Sequence, residues 1–157
     1  MKSDHLNIYN NLIKLTRNKN LYYNLKNRDT FSDRLIIFMF HFSFFLKRYK
    51  SEMSSDYSQT LFDFVVRQIE LSIREIGYGD VSVNKKMKEY VNLFYSILEK
   101  IENWDSLENS RKIALIADFI NINEGDDLFV NYFNKYEEIL LNNSFKIFIK
   151  EIIEIKI

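Results

Sequence analysis

Residues 71–95, LSIREIGYGDVSVNKKMKEYVNLFY, decide the fold class. Two helical patterns abut here across a four-residue joint, Gly77-Tyr78-Gly79-Asp80. Upstream, at about 57–76, Leu61, Phe62, Val65, Ile69, Ser72, Ile73 and Ile76 share one face. Downstream, at about 82–103, Val83, Met87, Tyr90/Val91, Phe94, Ile97/Leu98 and Ile101 recur at three- and four-residue steps. That spacing is the apolar stripe of an amphipathic helix. The chain has three glycines and two of them sit in this joint, so its sharp backbone geometry is concentrated there. Gly77 follows the last apolar position of the first helix, where a left-handed C-terminal cap calls for glycine.

Working outward, the same periodicity fills most of the 157 residues. Leu6, Tyr9, Leu12, Ile13 and Leu15 predict a helix over 5–15, with Asp4 as its N-cap. A short patch comes next at 19–26, and Asp29-Thr30-Phe31-Ser32-Asp33 forms a capping-rich entry to a long apolar helix ending near Tyr49. Residues 51–57 read as a polar loop. Further helices are expected at about 108–121 and 128–141, separated by Trp104-Asp105-Ser106 on one side and Gly125-Asp126 on the other. The tail fits a helix through Phe145, Phe148, Ile149, Ile152 and Ile153, the favoured reading, and a strand through Phe145, Ile147 and Ile149. With no proline, helices run until a glycine or a polar cluster stops them. The expectation is all-α: a single bundle-like domain over 1–157 with six to eight helices.

Composition excludes several function classes. Basic and acidic residues number 22 each, so whole-surface attraction to DNA or an acidic membrane is absent, though local patches are permitted. No cysteine means no disulfide, thiolate metal site or thiol catalysis. Residues 35–46, LIIFMFHFSFFL, rise only about 18 Å as a helix, against the ~30 Å of a hydrocarbon core. The segment reads first as a buried core helix and second as a membrane-surface or client-binding element. The opening residues have neither the basic-then-apolar order of a secretory signal nor an arginine-rich presequence character. A cytoplasmic protein is expected, with peripheral membrane contact as an option.

The joint and its surroundings resemble the ubiquinol–cytochrome c chaperone family. Ile73-Arg74-Glu75-Ile76-Gly77-Tyr78-Gly79-Asp80-Val81-Ser82-Val83-Asn84-Lys85 is similar to that family's "LRE-hydrophobic-G-x-GD-x-S-V-x-K" segment. Asp29-Thr30-Phe31-Ser32-Asp33-Arg34 resembles its "DTF-x-GR" opening, with Asp33 where glycine is usual. The run through His41 to Leu46-Lys47-Arg48, Gln59-x-Leu61-x-Asp63, Phe94-Tyr95, Ala114-Leu115, Asn121 and Tyr132 come in family order. Ser96 replaces the glycine of the "FYGR" element, Asn84 stands where glycine is common and Lys86 where arginine is. The likeness covers roughly 28–141. It implies a helical, non-catalytic assembly factor that binds newly made cytochrome b and helps it enter ubiquinol–cytochrome c reductase. In mitochondria such proteins act with a small partner protein and near the ribosome.

Two candidate surfaces emerge. Gly77 and Gly79 either make only a tight corner, with Asp80 or Ser82 capping the next helix, or help present Lys85, Lys86 and Lys88 as an anion-binding surface near a helix start. Its ligand would be a client carboxylate, a lipid headgroup or an RNA phosphate. Arg34, Arg74 and Tyr95 join this set of partner-binding candidates, although the arginines also suit internal pairing with Asp29 or Asp63. The second surface is an apolar client groove through Phe38, Phe42 and Phe45. His41 reads as packed and neutral rather than as an axial haem ligand, and two distant histidines do not make a zinc site. No cofactor and no catalytic residue is expected, since nucleophile elbow, metal motif and phosphate-binding loop are all missing. Asp126-Asp127 and Glu137-Glu138 read as solvated helix-start and surface acids. The alternatives to a cytochrome b chaperone are a ribosome- or RNA-associated adaptor and a peripheral membrane protein.

Overall fold

A computed structural model describes residues 2–23, 25, 30–151 and 155. Among them are seven α-helices: α1 (Lys2–Thr16), α2 (Phe31–Tyr49), α3 (Ser55–Glu75), α4 (Asp80–Ile101), α5 (Asn109–Ala117), α6 (Leu128–Leu141) and α7 (Phe145–Lys150). Short 3-10 turns at Lys19–Leu21, Lys50–Glu52 and Trp104–Ser106 come after α1, α2 and α4. The all-α expectation therefore holds, and the tail is helical at α7. Asp29, Ile152 and Ile153 lie outside the described residues.

The Phe-rich helix is the axle of the molecule. Twelve residues of α2 are buried, on every side of the helix, and α1, α4 and α6 pack around it. A helix apolar all round has nowhere else to go. Phe40, Phe42, Phe44 and Phe45 are at most 1% exposed, each worth roughly 1.5–3 kcal/mol of apolar burial. Phe44 stacks on Phe133 of α6 at 5.2 Å and meets Trp104 edge-on at 5.3 Å. Phe45 meets Phe148 of α7 at 4.8 Å, which closes the tail onto the same core.

Local chemistry sets the helix ends. Thr30, Ser54 and Ser144 stand in extended backbone before α2, α3 and α7, and each hydroxyl accepts the N–H three residues on, from Asp33, Tyr57 and Ile147. Asp4 is not the cap of α1: the helix starts at Lys2, which puts Asp4 in the first turn, where its charge suits the helix dipole. The predicted helix at 108–121 stops at Ala117. Beyond it the chain turns so that Ile122 forms an isolated antiparallel bridge with Leu25.

Candidate functional site

α3 and α4 form an antiparallel hairpin whose tip is the glycine joint. Gly77 has φ 106°, the left-handed region, and its N–H donates to the Arg74 carbonyl at 3.0 Å. Gly79 differs. With φ −73° and ψ 165° it is the extended N-cap of α4, so neither Asp80 nor Ser82 caps the helix; Asp80 is its first residue. Arg74 fastens the two helices by donating to Asp80 and, at 3.1 Å, to Glu70. Hydrogen bonds from Arg67 and then Arg74 hold the Glu70 carboxyl below its usual range. Arg74 thus pairs within the hairpin, although with neither of the acids named for it; Asp63 instead accepts from Gln59 at 2.9 Å.

The lysines sit deeper in the helix than the periodicity suggests. Because α4 starts at Asp80, Lys85 and Lys86 belong to its second turn and Lys88 to its third. Dipole effects fade within the first turn, so an anion here would meet lysine ammonium groups rather than the free N–H groups of the helix start. Lys85 and Lys88 are exposed, and Lys86 lies over the Tyr78 ring at 4.7 Å. Beside them Ile76, Tyr78 and Val81 are 52%, 42% and 86% exposed. The tip is amphipathic, with apolar side chains on the turn and ammonium groups along its flank.

Phe38, Phe42 and Phe45 do not form an open groove. They are 3%, 1% and 0% exposed, because the residues around them on α2 are equally apolar and the helix is enclosed. Against Phe38 and Phe42 lies an apolar void of only about 20 Å3, room for about one water molecule.

The large recess lies elsewhere, where the end of α2, the start of α3 and the second half of α4 converge. It is an open recess of about 540 Å3, lined by Lys47 and Lys50, by Ser54, Ser55, Ser58 and Gln59, and by Leu46, Met53, Phe62, Tyr95, Leu98 and Glu102. Tyr95 is 52% exposed and stacks on Phe62 at 5.7 Å with 23° between the rings. Of the candidate site residues, only Tyr95 lines this recess. Sequence reasoning missed Phe62 and Leu98 as surface-forming residues, although their register was visible. Gln59 and Phe62, like Tyr95, Leu98 and Glu102, recur at three- and four-residue steps beside each helix's buried stripe. Lys88 and Tyr95 are seven residues apart and so lie on one exposed face of α4, which runs from the basic tip to the recess.

Two other candidates lie apart from this recess. Arg34, exposed on the first turn of α2, lines a separate cavity beside α1. His41 is wholly buried: Nδ1–H donates to the Ile37 carbonyl at 2.8 Å, and Nε2 accepts from the Tyr132 hydroxyl at 2.6 Å. Burial lowers its pKa to about 3, so it is neutral, and both ring nitrogens are engaged. Glu137 corrects another expectation. It is half-buried rather than solvated, its carboxyl pKa is pushed up mainly by burial, and it accepts from Lys47 at 2.7 Å. Among the described residues no group of three or more histidine or acidic side chains could hold a metal ion, and no helix is long and apolar enough to cross a membrane.

The sequence profile of a family described as Ubiquinol-cytochrome C chaperone matches residues 24–111, more than half of the chain. The matched span runs from before α2 into α5 and contains the glycine joint and every residue lining the large recess. No curated protein and no solved structure matches the chain.

Proposed function

Since the chain belongs to the ubiquinol–cytochrome C chaperone family, we propose that it is a non-catalytic assembly chaperone. Its client is newly made cytochrome b on the way into ubiquinol–cytochrome c reductase. The observation that carries the reading is a convergence. Three segments that resemble family motifs, Leu46-Lys47-Arg48, Gln59-x-Leu61-x-Asp63 and Phe94-Tyr95, are far apart in sequence, yet all contribute to the wall of one recess. A chaperone surface must hold an extended or helical segment without catalysing anything. A concave patch with aromatic and aliphatic contacts, a hydroxyl and amide rim, and cations at one end suits that task.

In this account the recess takes a client segment and Tyr95 is its aromatic anchor. Lys85, Lys86 and Lys88, farther along α4, set orientation by pairing with acidic groups; Lys85 and Lys86 lie some 14–15 Å from Tyr95 along the helix axis. Arg74, Gly77, Gly79 and Asp80 hold the tip in shape. Affinity-tagged protein recovered from respiring cells should bring down cytochrome b. The double variant Lys85→Glu, Lys86→Glu should recover severalfold less at unchanged melting temperature. Equal recovery by both proteins would remove the lysines from the account, and ribosomal components without cytochrome b would favour an RNA-associated adaptor.

A second reading has its own observation. Ile76, Tyr78 and Val81 expose apolar and aromatic surface next to Lys85, Lys86 and Lys88. Such a tip suits an anionic membrane interface, with side chains dipping below the headgroups and ammonium groups among the phosphates. This moves any membrane contact from the Phe-rich helix, which is interior, to the α3–α4 tip. Flotation with anionic liposomes that Val81→Asp abolishes would support it.

A further inference from the structure

A second cavity has no role in client binding as described above. It is an open cleft of about 160 Å3 between α1, the first turns of α2 and the C-terminal half of α3. Leu35 and Phe38, 7% and 3% exposed, form its floor, and half-buried Ile13 and Ile69 form its walls. Two exposed guanidinium groups, those of Arg17 and Arg34, stand at its rim. The Arg17 side chain makes no ion pair or hydrogen bond with another described residue. Of the lining hydroxyl groups, Thr16 donates to the Leu12 carbonyl at 2.9 Å and Ser72 to the Gln68 carbonyl at 3.0 Å, while the Tyr9 hydroxyl faces Ser72.

Size and chemistry narrow the ligand. A space of about 150 Å3 is enough to hold a benzene-sized molecule, so a body of about six carbons fills the cleft. No acidic side chain lines the cavity, so recognition of charge falls to Arg17. A guanidinium fork matches a carboxylate in a bidentate geometry and discriminates against neutral and cationic heads. We propose that this cavity binds a small amphipathic carboxylate, its hydrocarbon part among Ile13, Leu35, Phe38 and Ile69 and its carboxylate against Arg17. This site is independent of the client recess, since the two share no lining residue.

Hexanoate titrated into the full-length protein is the test, followed by NMR of the isoleucine and leucine methyl groups. Saturable shifts confined to Ile13, Leu35 and Ile69 are expected, with 1-hexanol and hexylammonium binding at least roughly tenfold more weakly. Arg17→Gln, a surface change that leaves the core intact, should weaken hexanoate by a similar factor. Ile69→Phe, which narrows the cavity, should abolish the shifts while the circular dichroism spectrum stays helical. The proposal is overturned if hexanoate gives no saturable shift at these methyl groups, if hexylammonium binds as well, or if Arg17→Gln leaves the affinity unchanged.

Discussion

The Tyr132 hydroxyl donates to His41 Nε2 at 2.6 Å, across the contact between α2 and α6. Together with the Nδ1–H bond to the Ile37 carbonyl, this fixes one neutral tautomer inside a cage of Tyr132, Phe133 and Tyr136 rings, all within 5.3 Å. The family-like histidine is therefore a packing element that ties two helices together. A protonated ring could not accept from Tyr132, and it would place a charge in the centre of the core.

Acid should destabilise the protein through this residue. The folded pKa of His41 is about 3 against 6.5 for an unperturbed histidine, so the unfolded chain takes up a proton first as pH falls. Stability is fully present above about 6.5 and falls by up to about 1.4 kcal/mol per pH unit between there and about 3. Burial lowers the His5 pKa in the same direction, so both histidines contribute. Urea unfolding at pH 7.5 and 4.5 should show a loss of about 2–3 kcal/mol that His41→Leu makes clearly smaller. The same loss in the variant would assign the effect to other groups.

The two joint glycines should respond in opposite ways. Gly77 needs its positive φ, and Gly77→Ala should cost about 1–2 kcal/mol although nothing lies within 4 Å of the added methyl. Gly79 has ordinary extended backbone and open space around it, and it leaves α4 without a side-chain cap. Gly79→Ser should be neutral or stabilising by a few tenths of a kcal/mol. Thermal melts of the two variants separate these outcomes, and a large loss at Gly79 would contradict the geometry.

Lys47 joins three parts of the molecule, donating at 2.7 Å to both Asp105 and Glu137. Burial works against its charge, yet the Asp105 and Glu137 bonds leave its pKa net raised. Lys47→Met strands a half-buried carboxyl at Glu137 and should cost about 1–3 kcal/mol. Adding Glu137→Gln should recover part of that loss in a double-mutant cycle. Additive losses would mean that the pair is not coupled.

Helices with a continuous apolar stripe are legible in the amino-acid sequence alone. The end of the Phe-rich helix at Tyr49 and the 128–141 helix coincide with their expected bounds, and Thr30 caps the Phe-rich helix within its expected capping-rich entry. Periodicity puts the start of α4 two residues late, and that slip alone assigns Lys85 and Lys88 to the wrong turn. The Phe38, Phe42 and Phe45 groove failed for a different reason. Periodicity shows that a helix is apolar all round but not that α1, α4 and α6 leave none of it open. The recess was the least legible feature. It exists only where residues from positions 46–62 and 95–102 come together, and no local pattern encodes that meeting.

The most direct test of the central claim is a photo-crosslinking residue placed at Tyr95, with Asn131 on the exposed face of α6 as the control position. Illumination during synthesis of labelled cytochrome b should yield a crosslink from position 95 and none from position 131. A crosslink from 131 alone, or none from either position while cytochrome b still co-purifies, would place the client away from the recess.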